Sequence, residues 1–447
     1  MRRSPILAAL ALLLLALHAG ATRASAATIL VVDGHGRVRA QQDRFLPPPS
    51  PAEAPSHWRA PAPAGSSSRP GAGEPRAATS RKRRKRTVAG ELRRLRRAKA
   101  ISAADERRYA AVHARARRDA RRLKGSRRRE LRAVIANVDA MAAARRLTPS
   151  RLPVAFETLR RNAQWWRSGK GALAYGQRLR FAGSRLVWQA YPGQGVQIQW
   201  LGTLGRMNEL YLADRRGYDA PLGAMADEVL RYASDRAGGI AWEYQFRFGG
   251  GRPPWISSIS QGTALQALAR AGERLGRPEL FAHAHEALGA FRTAPPSGLR
   301  VRVAAGSQYA GYSYAPGTLI YNMFFQSLIG LHDFAQIAGD GAARRLWLDG
   351  EREARVAVRR ADSGSWSYYR PGKLSDAGYH ELLRDFVRGL CTRMLDDRDR
   401  EEAALRERTG DPDAVLEDFE TWPDPAPYCE TWQAFNRYLK ERSSARR

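Results

Sequence analysis

The sequence predicts a mainly α protein: an α/α toroid, or barrel of helix pairs, with short β-hairpins, preceded by a disordered linker and an arginine-rich helical arm. Three observations lead there. Apolar residues recur at helical spacing through the second half of the chain, with Ala264, Leu265, Leu268, Ala271 and Leu275 on a single face. The helical segments follow one another in pairs, separated by loops rich in glycine and aromatic residues. The charge is uneven, since 22 basic and 5 acidic residues between 81 and 130 supply +17 of the formal +31, which marks a basic arm rather than a uniformly basic surface. An irregular helical bundle is the competing architecture, and periodicity alone does not separate the two. With 447 residues, 43% of them hydrophobic, the chain is not wholly disordered, and two cysteines are too few for a disulfide scaffold.

Taken in order, residues 1–26 read as a signal peptide. Arg2 and Arg3 precede a twelve-residue apolar run from Ile6 to Leu17, and Ala24-Ser25-Ala26 offers a small-x-small cleavage pattern. The run is short of the roughly twenty residues that span a bilayer, so cleavage is expected over an uncleaved anchor, and the protein is expected to be secreted or extracytoplasmic. Residues 27–87 read as a disordered Pro/Arg-rich linker, with nine prolines between Pro47 and Pro75. Arg81-Lys82-Arg83-Arg84-Lys85-Arg86 opens the basic segment. Residues 88–148 read as a basic helical arm, with Ser102-Ala103-Ala104-Asp105 as a capping box and Leu131, Val134, Ile135 and Val138 on a thin stripe. Behind a signal peptide the 81–130 segment suits an anionic cell-wall or membrane surface better than nucleic acid, which is not expected. A merely solvated charge run is the plain alternative.

Residues 149–447 read as the helix-pair domain. Tyr191-Pro192-Gly193-Gln194-Gly195 joins two β-prone segments as a hairpin. Helices are expected over 202–215, 220–236, 256–275, 279–291, 318–337, 342–360, 378–394 and 429–440. Cys391 and Cys429 are either a disulfide or two buried thiols, and the sequence does not choose.

No phosphate loop, nucleophile elbow or zinc-protease motif occurs, no metal site or cofactor is called for, and Gly249-Gly250-Gly251 lacks the spacing of a phosphate cradle. What remains is tyrosine in loops, at Tyr309, Tyr312 and Tyr314, at Tyr368 and Tyr369, and at Tyr379 beside His380. Loop aromatics stack on sugar faces, although any one of them can equally plug a loop onto the core.

These loops carry a resemblance. The stretch from Gly249 to Tyr438 resembles the C-terminal catalytic domain of the D-glucuronyl C5-epimerases, which act on heparan-type polysaccharides. Trp255-Ile256-Ser257-Ser258-Ile259-Ser260-Gln261-Gly262 resembles the family's Trp-Tyr-Ser-x-x-x-Gln-Gly block. Tyr312 through Asn322, then Ser327-Leu328-Ile329-Gly330-Leu331-His332-Asp333, resembles a second. Asp362-x-Gly-Ser-x-x-x-Tyr369 and Tyr379-His380 resemble two more. The sequence departs from the pattern with Gly311 for an acidic residue, Ser313 for a proline, Trp366 for a glycine and Leu383 for a second histidine, and the animal enzymes carry a β-domain where this chain is expected to have only a hairpin and the basic arm. The resemblance implies an α/α barrel, an acidic uronate-containing polysaccharide as partner, and catalytic roles for Tyr312, Tyr369 and Tyr379. Trp255, Gln261, Asn322, Arg370 and His380 are expected as substrate contacts.

The implied chemistry suits tyrosine. Epimerisation at C5 of a uronate removes a proton α to a carboxylate and returns one to the opposite face, so two acid/base groups must flank the ring. A phenol near pKa 10 is a poor base unless cations lower it, and Arg370 and Arg384 are the nearest in sequence. Tyr379 and Tyr312 are expected as the acid/base pair, with Tyr369 holding the intermediate or the carboxylate. A uronate lyase would remove the same proton and expel the 4-O-linked sugar. A non-catalytic polysaccharide- or wall-binding protein on the same scaffold is the remaining alternative.

Overall fold

A computed structural model describes residues 27–46, 86–168, 171–213, 216–416 and 423–444. The predicted signal peptide and most of the predicted linker lie outside these residues. The linker reading is corrected at its start. Strands β1 (Ala27–Val32) and β2 (Val38–Asp43) form a hairpin, with Ile29 and Val32 buried. Asp33 closes the turn by accepting the backbone N–H groups of His35 and Arg37, both at 2.9 Å.

Three more strands complete a sheet ordered β2-β1-β3-β4-β5. They are β3 (Arg178–Phe181), β4 (Trp188–Tyr191) and β5 (Gly195–Ile198). β1 pairs parallel to β3 and the other pairs are antiparallel. The expected hairpin at Tyr191–Gly195 is β4–β5, so the β-structure ahead of the helices is larger than a hairpin.

The predicted arm is three helices, α1 (Val88–Arg97), α2 (Ala103–Arg122) and α3 (Gly125–Ala143). The Ser102–Asp105 capping box is formed. Their thin stripes meet α4 (Leu152–Arg167), so Leu92, Leu95, Tyr109, Val138 and Phe156 share a core. The Glu130 carboxylate of α3 also accepts the backbone N–H groups of Gly193 and Gly195 in the β4–β5 turn, at 2.8 and 2.9 Å. The basic segment is therefore packed onto the body of the protein.

Four helix pairs follow: α5 (Trp200–Leu212) with α6 (Asp219–Arg231), and α7 (Ser258–Leu275) with α8 (Glu279–Ala287), which one-turn α9 (Gly289–Arg292) extends. Next come α10 (Tyr321–Ala338) with α11 (Gly341–Arg360), and α12 (Ala377–Thr409) with α13 (Ala426–Ser444). The first helices of the pairs touch in the order α5-α7-α10-α12, each backed by its partner. This is the helix-pair architecture expected of an α/α toroid, present as an open arc rather than a closed barrel. Hairpins β6–β7 (Ser234–Arg236, Gly239–Ala241), β8–β9 (Arg300–Arg302, Ser307–Tyr309) and β10–β11 (Tyr368–Arg370, Lys373–Leu374) lie in the connections that lead from one pair to the next.

The closest helix contact is α7 against α10. A Cβ on Gly330 would stand 1.9 Å from the Gly262 carbonyl oxygen, and a Cβ on Gly262 would stand 2.5 Å from the Ser327 Cα. Both glycines belong to the sequence blocks described above, and their missing side chains let the two helices meet backbone to backbone. No helix among the described residues is long and apolar enough to cross a membrane.

Cys391 of α12 and Cys429 of α13 are joined in a disulfide, which decides between the two readings of the pair. Their separation of 38 residues gives a loop-closure stabilisation of about 4 kcal/mol in the chain-entropy picture. A Cys391→Ser, Cys429→Ser double variant is expected to lose stability up to that amount in urea unfolding.

Candidate active site

A cleft enclosing about 100 Å³ opens where the first turns of α5, α7, α10 and α12 gather. Leu201, Ile259, Asn322 with Met323, and Tyr379 line it from those four turns, with Leu382 one turn further along α12. The arc thus brings four helix N-termini to one place, and each carries a partial positive charge. No charged side chain is among the residues that line the cleft.

Tyr312, Tyr369 and Tyr379, which come from three different sequence blocks, all line it. The rings of Tyr369 and Tyr379 touch, with centroids 4.5 Å apart. Asp376 caps α12 by accepting the Tyr379 backbone N–H at 2.9 Å, which fixes the turn that carries this tyrosine. Tyr312 leans on Trp255 and Phe248 and stacks on Tyr314 at 5.4 Å. Tyr314 in turn lies against Gly251, where a Cβ would come within 2.3 Å of its ring, so the triple glycine is a seat for an aromatic ring.

Ser313, which stands where the family has proline, holds the Tyr312 loop by another route. Its N–H donates to the Ile256 carbonyl at 3.0 Å and its Oγ accepts the Ile256 N–H at 3.2 Å. Gly311 replaces an acidic residue where a Cβ would sit 2.9 Å from the Met323 sulfur. Trp366, in place of a glycine, stacks on His380 at 3.7 Å. Leu383, in place of a second histidine, is fully buried in the core.

Of the other expected contacts, Trp255 and Asn322 line the cleft, and the remaining three stand elsewhere. Gln261 is buried and bonds the backbone of Trp242 through both ends of its amide. His380 is buried between Ser367 and the Phe435 carbonyl. Arg370 is exposed and outside the lining. The sequence reading missed Tyr175, Tyr191 and Gln199, which the β-sheet and its flanks contribute, and Tyr244, Phe246 and Phe248. The last three stand at alternate positions in Trp242-Glu243-Tyr244-Gln245-Phe246-Arg247-Phe248, a period-2 pattern that sends one aromatic set to one side. Gln199 accepts from the Tyr244 hydroxyl and donates to that of Tyr191, each at 3.3 Å. Ser257 and Asn322 line the same cleft, and the Ser257 Oγ and Asn322 Nδ2 are buried with no hydrogen-bond partner among the described residues.

Burial pushes the Tyr312 phenol well above its ordinary value, with neighbouring tyrosines adding to the rise. Burial also raises Tyr369, against the smaller opposing effects of its hydrogen bond with Tyr379 and the charge of Arg370. The expectation that Arg370 and Arg384 lower the phenols is therefore corrected. Arg370 is too exposed to outweigh burial, and Arg384 is paired with Asp385 at 2.7 Å. A raised phenol pKa favours the fold below the unfolded value of 10.0, and that contribution is lost as pH climbs toward the folded value. Ultraviolet titration is expected to show a class of tyrosines that ionise late, with stability falling above about pH 10.

Residues 236–400 match the family model described as D-glucuronyl C5-epimerase C-terminus. The match covers little more than a third of the chain. The D-glucuronyl C5-epimerase of Caenorhabditis elegans is 28% identical over 130 residues, a stretch covering 26% of this chain and 21% of that protein. The unsaturated glucuronyl hydrolase of Bacillus sp. GL1 aligns with a TM-score of 0.36 at 13% identity, over 54% of this chain and 61% of its own. An inactive α-1,6-mannanase variant of Salegentibacter sp. HEL1_6, in complex with α-1,6-mannotriose, aligns at 0.32 and 13% identity, over 74% and 85%. The matched segment holds Tyr312, Tyr369 and Tyr379, whereas Tyr175, Tyr191 and Gln199 lie upstream of it.

Proposed function

We propose that the protein is an extracytoplasmic uronate C5-epimerase that acts on an acidic polysaccharide with tyrosines as its acid and base. The observation that carries this reading is the convergence of Tyr312, Tyr369 and Tyr379, all inside the matched segment, on one cleft. In the reaction a phenolate takes the C5 proton, the C5–H electron pair passes into the carboxylate as an enediolate, and a phenol on the other face returns a proton to C5. The pair of groups then exchanges roles in the reverse direction, so no other reactant is consumed.

Each step asks something specific of the cleft. A uronate carboxylate needs donors and positive potential. Unpartnered Ser257 and Asn322, with four helix N-termini, suit that need without a cationic side chain. The acid needs a phenol that keeps its proton at neutral pH, which burial favours for Tyr312. The base needs a place where negative charge is tolerated, and the first turn of a 33-residue helix favours Tyr379 for it. Tyr369, in ring contact with Tyr379, is left to hold the enediolate.

The test is deuterium uptake at C5, read by proton NMR on the full chain in heavy water with a panel of uronate polymers. Exchange with inversion supports the epimerase. Exchange with ultraviolet-absorbing unsaturated ends makes the protein a lyase, and binding without exchange leaves a carbohydrate-binding protein.

A further inference from the structure

A second cavity, of about 730 Å³, lies apart from the tyrosine cleft and shares no lining residue with it. Five arginines line it: Arg115 and Arg118 of α2, and Arg160, Arg161 and Arg167 of α4. The glycine turns at Gly34 and Gly183 border it. On α2 the two arginines stand one turn apart, and on α4 Arg160 and Arg167 stand two turns apart, so both walls present guanidinium groups to the same groove.

The acids nearby answer only part of this charge. Glu157 pairs with Arg160 and Arg161 at 2.5 and 2.7 Å, and Asp119 with Arg167 at 3.3 Å. Arg161 is further held by Gln164, the Ala182 carbonyl and the face of Phe181. Arg115 and Arg118 are exposed and have no ion-pair partner among the described residues. The held arginines give a rigid base, and the two free ones give charge-assisted donors of the kind that grip carboxylates and sulfates in bidentate fashion.

We propose that this groove is an exosite for an acidic polysaccharide, which carries carboxylate or sulfate groups past the arginines while the tyrosine cleft works on another stretch of chain. The proposal rests on an acidic polymer being the partner of the cleft. Two features favour such a chain over other polyanions. The lining holds no aromatic side chain, so nothing there would stack on the bases of a nucleic acid. The site is a concave channel rather than a protruding basic face, so it fits a single strand better than a lipid surface.

The experiment is fluorescence anisotropy of the full chain with a labelled heparin hexasaccharide at 0.05 and 0.15 M salt, with a hyaluronan hexasaccharide as the carboxylate-only arm. Binding is expected to weaken at the higher salt. Arg115→Glu with Arg118→Glu is expected to lower affinity at least tenfold. Both side chains are exposed and unpaired, so the fold should stand, and Arg115→Ala with Arg118→Ala should show the same direction. Arg121→Glu with Arg122→Glu reverses the same charge on exposed positions of α2 outside the lining, and should cost threefold or less. Hyaluronan binding as tight as heparin assigns the groove to carboxylates, and a heparin preference assigns it to sulfates. Unchanged affinity in the first variant, equal losses in the two reversals, or preferential binding to phosphatidylserine vesicles would overturn the proposal. Affinity is read without turnover, so a chain that binds here yet exchanges no C5 proton sinks the epimerase reading alone.

Discussion

Tyr379→Phe is expected to lower C5 deuterium exchange by about 10²- to 10⁴-fold, the usual effect of removing a general acid or base, while substrate binding persists. The substitution deletes one hydroxyl and keeps the ring, so the 4.5 Å contact with Tyr369 is retained. The cap from Asp376 reaches the backbone N–H and is untouched. Chemistry, rather than cleft shape, is what the change removes, and the loss should fall on kcat with KM nearly constant. Tyr312→Phe should match it, because two opposed groups are needed and each is indispensable. Tyr314→Phe is the comparison, since Tyr314 stacks on Tyr312 but is not among the cleft-lining residues, and it should stay within a few-fold of wild type. Wild-type exchange in Tyr379→Phe would remove this residue from the acid/base pair.

Gly330→Ala is expected to give the largest loss of stability, about 3 kcal/mol or more in urea unfolding, at the upper end of overpacking costs. The added methyl would lie 1.9 Å from the Gly262 carbonyl oxygen. That obstacle is helix backbone and cannot rotate aside as a side chain can. Relief requires α7 and α10 to separate. Those helices carry Ser257, Ile259, Asn322 and Met323 into the cleft, so activity should fall with stability. Gly223→Ala on α6 is the counterpart, because its Cβ would meet only side-chain atoms at 3.5 and 3.9 Å. There the gain in helix propensity should stabilise by about 0.5–1 kcal/mol. A Gly330→Ala protein as stable as wild type would mean that the two helices do not cross at these glycines.

The helix pairs were legible because their apolar residues repeat locally, and five residues such as Ala264 to Leu275 suffice to expose a period. Strand β1 was not recognised, although Thr28-Ile29-Leu30-Val31-Val32 is β-prone and Asp33-Gly34 is a hairpin signal. The proline-rich stretch after it drew the linker boundary too early, and the parallel partner β3 lies almost 150 residues away. The basic helices read as an arm because their narrow stripes gave no hint of α4. In the cleft, the tyrosines in motif blocks were identifiable from sequence. Tyr175, Tyr191 and Gln199 were not, since only the sheet brings them there. Gln261 and His380 sit inside those same blocks and yet serve the scaffold, so position within a motif does not separate a group that meets substrate from one that holds the backbone in place.

The parallel pairing of β1 with β3 has a practical consequence for shortened forms of the protein. A version begun at the basic helices would leave the backbone of Arg178–Phe181 without the neighbour that Ile29 to Val32 supply. An uncovered sheet edge is a template for another chain, and this one carries Leu179 and Phe181, both fully buried in the intact protein. Such a truncation should self-associate through β3, and sedimentation would register that before any assay of activity did. The first strand is thus a cover as well as a support.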